Sequence, residues 1–302
     1  MLLALTFLLA VLSGTPLSAK AKKEKPRVGS APAVLWREPV DIATRNLFYG
    51  QGGKEHEPQG KLVYEKENLQ GVNPKFDVRD SAGVKWGVKL GDEARPEVAA
   101  GRLVWAVGYF TDEYYYLPEI NFTRPPALHR GTEMIKNGKV VGVRLKRYNK
   151  RDHKIGYWSW NHNPFAGSKE LNGLRIMMEL ICNTDLKPEH LVIYDVNHVE
   201  QRYYIKDLGG SFGKAGLGFT RTKGVLRDYQ QRPLIRRVSG NYVDFWYFKH
   251  IPKADARWIG GWLSRLSDEQ IKDAFRAGGF SPSEVNGFAA KVRKKINELN
   301  KL

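Results

Sequence analysis

Cysteine is almost absent from this chain of 302 residues, which contains only Cys182. A single cysteine excludes an intramolecular disulfide, and the sequence has no C-x-x-C pair or other cluster with the spacing of zinc ligands. Cys182 follows the apolar pair Leu180 and Ile181, so we expect it to act as a small buried hydrophobic residue rather than as a nucleophile. The fold must therefore be held by an ordinary apolar core.

Long apolar runs are also scarce, and the exception lies at the N-terminus. Residues 2–12 are almost wholly apolar and are followed by small residues up to Ala21. This pattern is typical of a secretory signal peptide, because a membrane span needs about 20 apolar residues. We therefore expect a signal peptide at residues 1–21 and a secreted or periplasmic protein, with an uncleaved N-terminal membrane anchor as the alternative. No other segment approaches a membrane span, so the mature chain should have none.

Acidic residues are fewer than basic ones: the chain has 32 Asp and Glu and 49 Lys and Arg, which gives a net charge of +17. This excess predicts attraction to polyanions such as anionic lipids or phosphorylated envelope polymers. The basic clusters at residues 20–25, 146–151 and 291–295 match no recognised nucleic-acid motif, which argues against nucleic acid as the main partner. A hydrophobic fraction of 42% with 8 Trp, 14 Tyr and 13 Phe indicates a globular chain.

Two acidic loops flank a predicted hairpin near the middle of the chain. Asp185 opens a polar loop before the apolar strand at residues 191–194, and Asp207 directly follows a second strand at residues 203–205. Antiparallel strands joined by a turn place the residues that flank them side by side. Asp185, Asp207 and Lys187 are therefore expected to share one site.

This stretch resembles the catalytic core of the protein-kinase-like superfamily, particularly its atypical HipA-like, lipid-kinase-like and secretory-pathway branches. Residues 183–190, NTDLKPEH, are similar to the catalytic loop H-R-D-L-x-x-x-N, and residues 207–213, DLGGSFG, are similar to the metal-binding D-F-G turn. The resemblance implies that Asp185 is the catalytic aspartate, that Lys187 touches the transferred phosphate, and that Asp207 binds metal.

The chain departs from the family pattern in its metal ligands and in its phosphate loop. Asn183 stands where the family usually has His, and His190 stands where it has the metal-binding Asn. Because Mg prefers oxygen ligands and neutral imidazole suits Mn better, we expect His190 as a second metal ligand and leave Mg and Mn as alternatives. No G-x-G-x-x-G occurs between the first two predicted strands; Gly71 is the candidate there for backbone contact with a phosphate.

Strands are predicted at residues 61–66, 75–79 and 84–90, followed by a helix at residues 96–109. In the third strand, residues 86–89, WGVK, resemble the V-A-I-K strand of kinases, in which a small residue makes room for adenine and the lysine holds phosphates. Lys89 is the candidate lysine, with Lys85 as a second candidate on the same face. The family pairs this lysine with a helical glutamate, for which Glu97 is the candidate and Glu93 the reserve.

Further elements complete the predicted secondary structure. The patterns indicate helices at residues 41–49, 168–182, 254–266, 267–276 and 281–299, and strands at residues 139–146 and 234–238. Capping boxes, Ser267 with Gln270 and Ser281 with Glu284, begin the last two helices.

Together these patterns predict a two-lobed α+β fold. After an N-terminal extension at residues 22–60, a small antiparallel sheet with one helix occupies residues 61–150, and a mainly helical larger lobe occupies residues 151–302. The resemblance implies a possible phosphotransferase: nucleotide- and metal-dependent phosphoryl transfer, with ATP or another nucleotide as cofactor and an unknown protein, lipid or envelope polymer as acceptor.

Two alternatives remain open at the level of sequence. Retention of Lys89, Asp185 and Asp207 favours an enzyme, whereas the missing glycines and His190 favour a catalytically inactive kinase-like module that binds anionic envelope ligands. In a third interpretation, Asp185 and Asp207 merely cap loops in an unrelated α+β fold. A short distance between Lys89 and Asp207, about 4 Å or less, would distinguish the kinase-like folds from this last one.

Overall fold

The computed structural model describes residues 31–71, 73–123, 126–149, 152–216 and 220–302. The expected signal peptide at residues 1–21 and the start of the N-terminal extension lie outside these residues. None of the described helices is long and apolar enough to cross a membrane. The described chain is of mixed α+β class, as the sequence predicts.

The first lobe is an antiparallel sheet made of local hairpins. Its strands are β2 (Val63–Glu67), β3 (Lys75–Arg79), β4 (Lys85–Lys89), β5 (Tyr114–Asn121), β6 (Ile135–Lys136) and β7 (Lys139–Arg147), while β1 (Ala33–Val34) belongs to another sheet. They are arranged in the order β2-β3-β4-β7-β5, with β6 paired to β7. The predictions of β2, β3, β4 and β7 are confirmed.

Two-residue alternation gives this sheet one apolar and one charged face. Buried side chains from three adjacent strands form one cluster: Phe76, Val78, Trp86, Val88, Val143 and Leu145. The residues between them point to the opposite face, because successive side chains of a strand alternate. The predicted alternation of β4, with Trp86 and Val88 on the side opposite Lys85 and Lys89, is confirmed.

A single helix, α1 (Ala94–Ala106), connects the sheet to the rest of the molecule. Pro96 lies in its first turn, where a missing N–H is tolerated. Val98 packs with Tyr114 of β5, whereas Ala99 and Leu103 belong to the core of the second lobe. Because both sides of α1 are buried, its glutamates keep a fixed position between the two lobes.

The second lobe contains helices and two further sheets. Its helices are α2 (Lys169–Leu180), α3 (Leu226–Gln231), α4 (Lys253–Ser264), α5 (Asp268–Ala277) and α6 (Pro282–Asn300). One sheet has the order β1-β10-β9-β8 and the other β11-β12-β13, with β8 (Asp152–Tyr157), β9 (Leu191–Val196), β10 (Glu200–Ile205), β11 (Arg237–Ser239), β12 (Tyr242–Asp244) and β13 (Ile251–Pro252). Both predicted capping boxes, at Ser267 and Ser281, are confirmed.

Some local predictions are wrong. The helix expected at residues 41–49 is absent, and the chain instead forms short 3-10 turns that include Ile42–Thr44. The Asn46 side chain accepts hydrogen bonds from the backbone of Phe48 and Tyr49, which offers these amides an alternative to helical bonding. The strand expected at residues 234–238 begins later, at Arg237, and the sequence did not predict β5 or β8.

Candidate active site

The β9–β10 hairpin brings the two acidic loops together. Leu191 at the start of β9 pairs with Ile205 at the end of β10, so the residues flanking the hairpin emerge at one end. The backbone N–H of Lys206 donates to the His190 carbonyl oxygen at 2.9 Å and joins the loops directly. The predicted proximity of the Asp185 loop and Asp207 is present in the structure.

Lys89 is the central contact between the two lobes, and its side chain is fully buried. Its Nζ lies 2.5 Å from Asp207 Oδ1, 2.7 Å from Glu97 Oε2 and 3.0 Å from Glu93 Oε2. One ammonium group thus connects β4, α1 and the turn after β10. The contact expected between Lys89 and Glu97 is present, and Glu93, the reserve candidate, joins it.

Mutual charge stabilisation keeps this cluster ionised. Burial is the largest single effect on Lys89 and lowers its pKa, but Glu97, Asp207 and Glu93 together outweigh burial and raise the pKa above its usual value. Burial raises the pKa of Asp207 and Glu93, yet the Lys89 ammonium reverses this effect and holds both pKa values below their usual range. The cleft therefore contains fixed charges of both signs at neutral pH.

The turn after Asp207 is shaped by close packing against α1. Asp207 has φ of +54°, a left-handed conformation that Asp tolerates better than most residues. A Cβ added at Gly209 would lie 2.6 Å from Glu93 Cβ, so a larger residue there would displace α1 or the turn. Lys223 Nζ also contacts Glu93 Oε1 at 2.9 Å. The Asp-Leu-Gly sequence is thus required by the packing as well as by the charge of Asp207.

Asp185 lies at the mouth of the same cleft and contacts two cations. Lys187 Nζ is 3.2 Å from Asp185 Oδ1, and Arg221 Nη1 is 3.8 Å from Oδ2. The Asp185 backbone N–H donates to Asn183 Oδ1 at 3.1 Å, and Asn183 is itself buried. Asn183 therefore orients the loop, while the Asp185 carboxylate remains accessible from the cleft.

His190 links the two aspartates. Its Nδ1 lies 3.1 Å from the Asp185 carbonyl oxygen, and its Nε2 lies 3.3 Å from Asp207 Oδ2. Among the described residues no cluster of three or more His, Cys, Asp or Glu could hold a metal. Mg is usually held by only one or two carboxylates together with water and substrate phosphates. Asp207 and His190 thus fit an ion that would take its remaining ligands from a phosphate.

Gly71 lies in the turn between β2 and β3, with φ of +73°. Its carbonyl oxygen accepts a hydrogen bond from Arg130 Nη1 at 2.6 Å. The cavity below the sheet is lined by Asn68 and Gln70 of the same turn, whereas Gly71 itself does not line it. The expected phosphate contact of Gly71 stays a prediction.

The sequence motifs indicate Lys85 and Lys89 of the cleft but not its other charged side chains, Lys75, Asp77, Arg144 and Lys146. The charged face of β3, β4 and β7 forms its roof, and all of these residues are basic except Asp77: Lys75, Asp77, Lys85, Lys89, Arg144 and Lys146. The signal was present in the sequence, because charged residues alternate with apolar ones through β3 and at residues 85–86, 88–89 and 144–146 of β4 and β7. That periodicity indicates a charged surface facing a ligand or solvent.

Most of these charges are paired within the cleft. Arg144 Nε contacts Glu97 Oε2 at 3.1 Å. Lys146 and Lys206 share Asp112 Oδ2 at 3.5 and 3.7 Å. Lys75 differs, because it forms no ion pair with any residue that the structure describes. Burial and the neighbouring Lys89 charge lower the pKa of Lys75.

Tyr148 follows β7 and lies under the sheet. Its hydroxyl donates to Asp77 Oδ1 at 2.9 Å, and a Cβ added at Gly87 would lie 3.0 Å from that hydroxyl. Burial, together with the Asp77 charge, raises the pKa of Tyr148 to about 12, so it remains protonated. The space over Gly87, where the resemblance places an adenine, is therefore occupied by a side chain of the protein itself.

The remaining cavity is small and polar. Its volume is about 180 Å³, and it is lined by residues of both lobes, including Lys75, Arg144, Glu189, His190 and Asp207. Pockets for drug-sized ligands are commonly about 300–1,000 Å³ and mostly apolar. The cavity in this structure therefore suits a compact charged group better than a whole nucleotide.

Comparisons with known proteins support the fold. The sequence matches no protein-family model and no curated protein. A crystal structure of the Helicobacter pylori proinflammatory kinase CtkA is similar to this chain, with a TM-score of 0.50 and 10% sequence identity over 78% of this chain and 94% of that one. At this identity the likeness concerns the fold alone, and we conclude that the chain has a kinase-like fold.

Proposed function

We propose that this protein catalyses metal-dependent phosphoryl transfer from a nucleotide bound in the cleft between its lobes. The observation that carries the proposal is the buried Lys89, held by Glu97 of α1 and by Asp207 of the acidic turn. Burying charged groups is unfavourable even when they are paired, and well-packed apolar side chains in their place would stabilise the fold about as well. The buried charges are therefore not explained by stability alone. A site for a phosphorylated ligand explains why the charges converge there.

Each residue has a role that its position permits. Lys89 would donate hydrogen bonds to oxygens of the donor phosphates, and the Asp185 carboxylate would accept the proton of the acceptor hydroxyl. The bond between the terminal phosphorus and its bridging oxygen breaks, and the acceptor oxygen forms the new bond. Lys187 beside Asp185 would neutralise charge on the transferred group. Such catalysis consists mainly of positioning and charge stabilisation.

Asp207 and His190 would hold a divalent ion, Mg or Mn, whose charge neutralises the phosphates when it is bound. Asp207 Oδ2 and His190 Nε2, which lie 3.3 Å apart, would be its protein ligands. The Asp207 Oδ1 atom would stay with Lys89.

The direct test is thermal unfolding of the purified chain in the presence of ATP and GTP, with Mg, with Mn and without metal. A ligand that binds only the folded state should add about 2.7 kcal/mol at one hundred times its dissociation constant. We expect stabilisation by nucleotide that depends on the metal, together with release of phosphate from terminally labelled nucleotide. Unchanged melting with every nucleotide and metal at millimolar concentrations would contradict the proposal.

His190 should determine which metal is preferred. Replacement of His190 by Asn restores an oxygen donor at this position, so we expect the ratio of Mn-supported to Mg-supported nucleotide affinity to fall by about 10-fold. His162, in an exposed loop, provides the matched control His162→Asn. An unchanged ratio in His190→Asn would remove His190 from the metal site and leave it as a loop hydrogen-bonding residue.

A second candidate is an inactive kinase-like module that binds an anionic ligand. The roof of the cleft favours it, because Lys75, Arg144 and Lys146 add basic groups that phosphoryl transfer does not require. Metal-independent binding of phosphorylated ligands without phosphate release would identify this function.

We also propose that the protein acts outside the cytoplasm, on a protein, lipid or envelope-polymer acceptor. The support is the apolar stretch at residues 2–12 with the small residues that follow it, together with the net charge of +17.

A further inference from the structure

The roof of the cleft offers little apolar surface for a base, because most of the residues that line the cavity are charged or polar. Purine sites in proteins need apolar contact on the faces of the ring, because most of the ligand surface is buried there. Here the cleft-facing residues of β3, β4 and β7 that line the cavity are charged apart from Gly87, and the side chains of Phe76 and Val88 belong to the buried cluster on the opposite face. A base placed against this roof would meet ionised groups.

Tyr148 and Asp77 close the place where a base would contact the sheet. The Tyr148 hydroxyl end lies against Gly87 and is fixed by its hydrogen bond to Asp77. Asp77 is 3% exposed and is also paired with Lys85 Nζ at 2.8 Å. A base entering this space would have to displace the Tyr148 hydroxyl and break its hydrogen bond to the buried Asp77 carboxylate, which is unfavourable.

Lys75, which lines the same cavity, provides a positive charge that has no ion pair among the described residues. It is the register partner of Lys89 on the adjacent strand, so the two side chains extend side by side into the cleft. Lys89 contacts three carboxylates, whereas Lys75 has no ion pair within the described part of the chain. Lys75 begins β3, directly after the turn in which kinases carry phosphate-binding glycines.

We propose that this cleft recognises its ligand by the polyphosphate group and not by the base, with Lys75 contacting the phosphates and Tyr148 excluding the base from the sheet. This inference rests on the proposed function insofar as the ligand binds beside Lys89 and Asp207. It goes further by naming the recognised chemistry: a compact triphosphate or polyphosphate, whose attached nucleoside remains outside the cavity of about 180 Å³.

Equilibrium binding of the full chain in Mn-containing buffer tests base discrimination. The probes are ATP, GTP, CTP, inorganic tripolyphosphate and adenosine. We expect the dissociation constants of the three nucleotides to agree within about threefold, tripolyphosphate to bind within about 10-fold of ATP, and adenosine not to compete. A preference for ATP over GTP and tripolyphosphate by more than about 10-fold, which is about 1.4 kcal/mol, would overturn the inference.

Variants of Lys75 and of Tyr148 test the roles of these two residues separately. Lys75→Gln should raise the dissociation constants of all three nucleotides and of tripolyphosphate equally, by about 10-fold or more, because hydrogen bonds to charged groups are stronger than those between neutral groups. Lys75→Arg should retain binding, and Lys139→Gln at an exposed site of the same sheet is the matched control. Since the Lys75 ammonium forms no ion pair with any described residue, Lys75→Gln should melt at or above the wild-type temperature. Unchanged binding in Lys75→Gln would overturn the role of Lys75.

Tyr148→Ala should open the space over Gly87 and create base discrimination. We expect ATP to gain affinity relative to tripolyphosphate, whereas Tyr148→Phe, which keeps the ring, should not change this ratio. An unchanged ratio in a folded Tyr148→Ala protein would overturn the role of Tyr148.

If tripolyphosphate binds as expected but no nucleotide supports phosphate release, the inference stands and the proposed transferase fails. If ATP binds tightly and selectively and is turned over, the transferase stands and the inference fails.

Discussion

Replacement of Lys89 by Met is expected to lower the free energy of unfolding by about 3–5 kcal/mol, because it leaves buried carboxylates without their cation. Glu97 and Glu93 are almost fully buried, and both contact the Lys89 ammonium within 3.0 Å. Arg144 and Lys223 would each retain one of these contacts, which keeps the loss within this range. For a chain of this size the melting temperature should fall by roughly 6–15 °C.

The effect of Lys89→Met should depend on pH in a defined direction. In the wild type the pKa values of Asp207 and Glu93 are lowered, so the stability they contribute is present above their unfolded pKa values, about 4, and is lost as the pH falls through the folded values. Without Lys89 these buried carboxylates bind protons more readily. The difference in unfolding free energy between wild type and variant should therefore be greatest near pH 7 and should shrink toward pH 4.

Urea unfolding at several pH values measures this difference. Lys139 in β7 offers a matched control, because its ammonium lies 3.2 Å from Glu119 Oε1 at an exposed site of the same sheet. Surface ion pairs are worth about 0–1 kcal/mol, so Lys139→Met should unfold almost as the wild type does. A loss below 1 kcal/mol in Lys89→Met, independent of pH, would show that the cluster does not carry the stability we assign to it.

The sequence predicted most of the sheet because its hairpins are local and its strands alternate. β3 was predicted with the observed bounds, and β4 within one residue at each end, since each combines buried alternate positions with flanking turn residues. Capping boxes located the starts of α5 and α6 for the same reason: the signal lies within four residues. β5 was missed because Pro118 interrupts its pattern and its polar half is exposed.

The site residues that belong to a local sequence motif could be predicted from the sequence. The contacts that form only when distant segments pack together could not. Asp185, Asp207 and Lys89 were identified from local patterns, and the structure brings Lys89 and Asp207 into contact across 118 positions. The Arg144 contact with Glu97 depends on how β7 pairs with β4, and the Lys146 contact with Asp112 depends on how β7 pairs with β5. No local pattern specifies that pairing.

Tyr148 shows a second reason why the site could not be fully predicted from the sequence. The resemblance of residues 86–89 to the V-A-I-K strand implies that Gly87 is the small residue that makes room for adenine. The same small size permits a tyrosine from the end of β7 to approach the strand. Absence of a side chain creates space, but only the tertiary structure determines what fills it. The role of Gly87 as an adenine contact therefore stays a prediction that Tyr148→Ala would test.

The two aspartates should differ in which step they support. Asp207→Asn is expected to weaken metal-dependent nucleotide binding by about 10-fold or more, because the amide replaces a charged ligand of the ion and loses its ion pair with Lys89. Asp185→Asn should leave binding nearly unchanged and reduce phosphate release by about 100- to 10,000-fold, the usual contribution of general-base catalysis. Titration of a fluorescent nucleotide with Mn and single-turnover release from terminally labelled ATP would measure the two effects separately.

The different effects expected of Asp207→Asn and Asp185→Asn follow from the contacts of each carboxylate. Asp207 lies against Lys89 and His190, the groups expected around the metal and phosphates, whereas the Asp185 carboxylate contacts Lys187 and Arg221 at the mouth of the cleft, where an acceptor would approach. Asp273→Asn on α5 is a suitable control, since Asp273 pairs only with exposed Arg276 among the described residues. Full binding by both site variants would show that the cleft does not use a kinase-like division of labour. Loss of binding in Asp185→Asn alone would instead place the phosphates at Lys187 and Arg221, outside the cavity formed by Lys89 and Asp207.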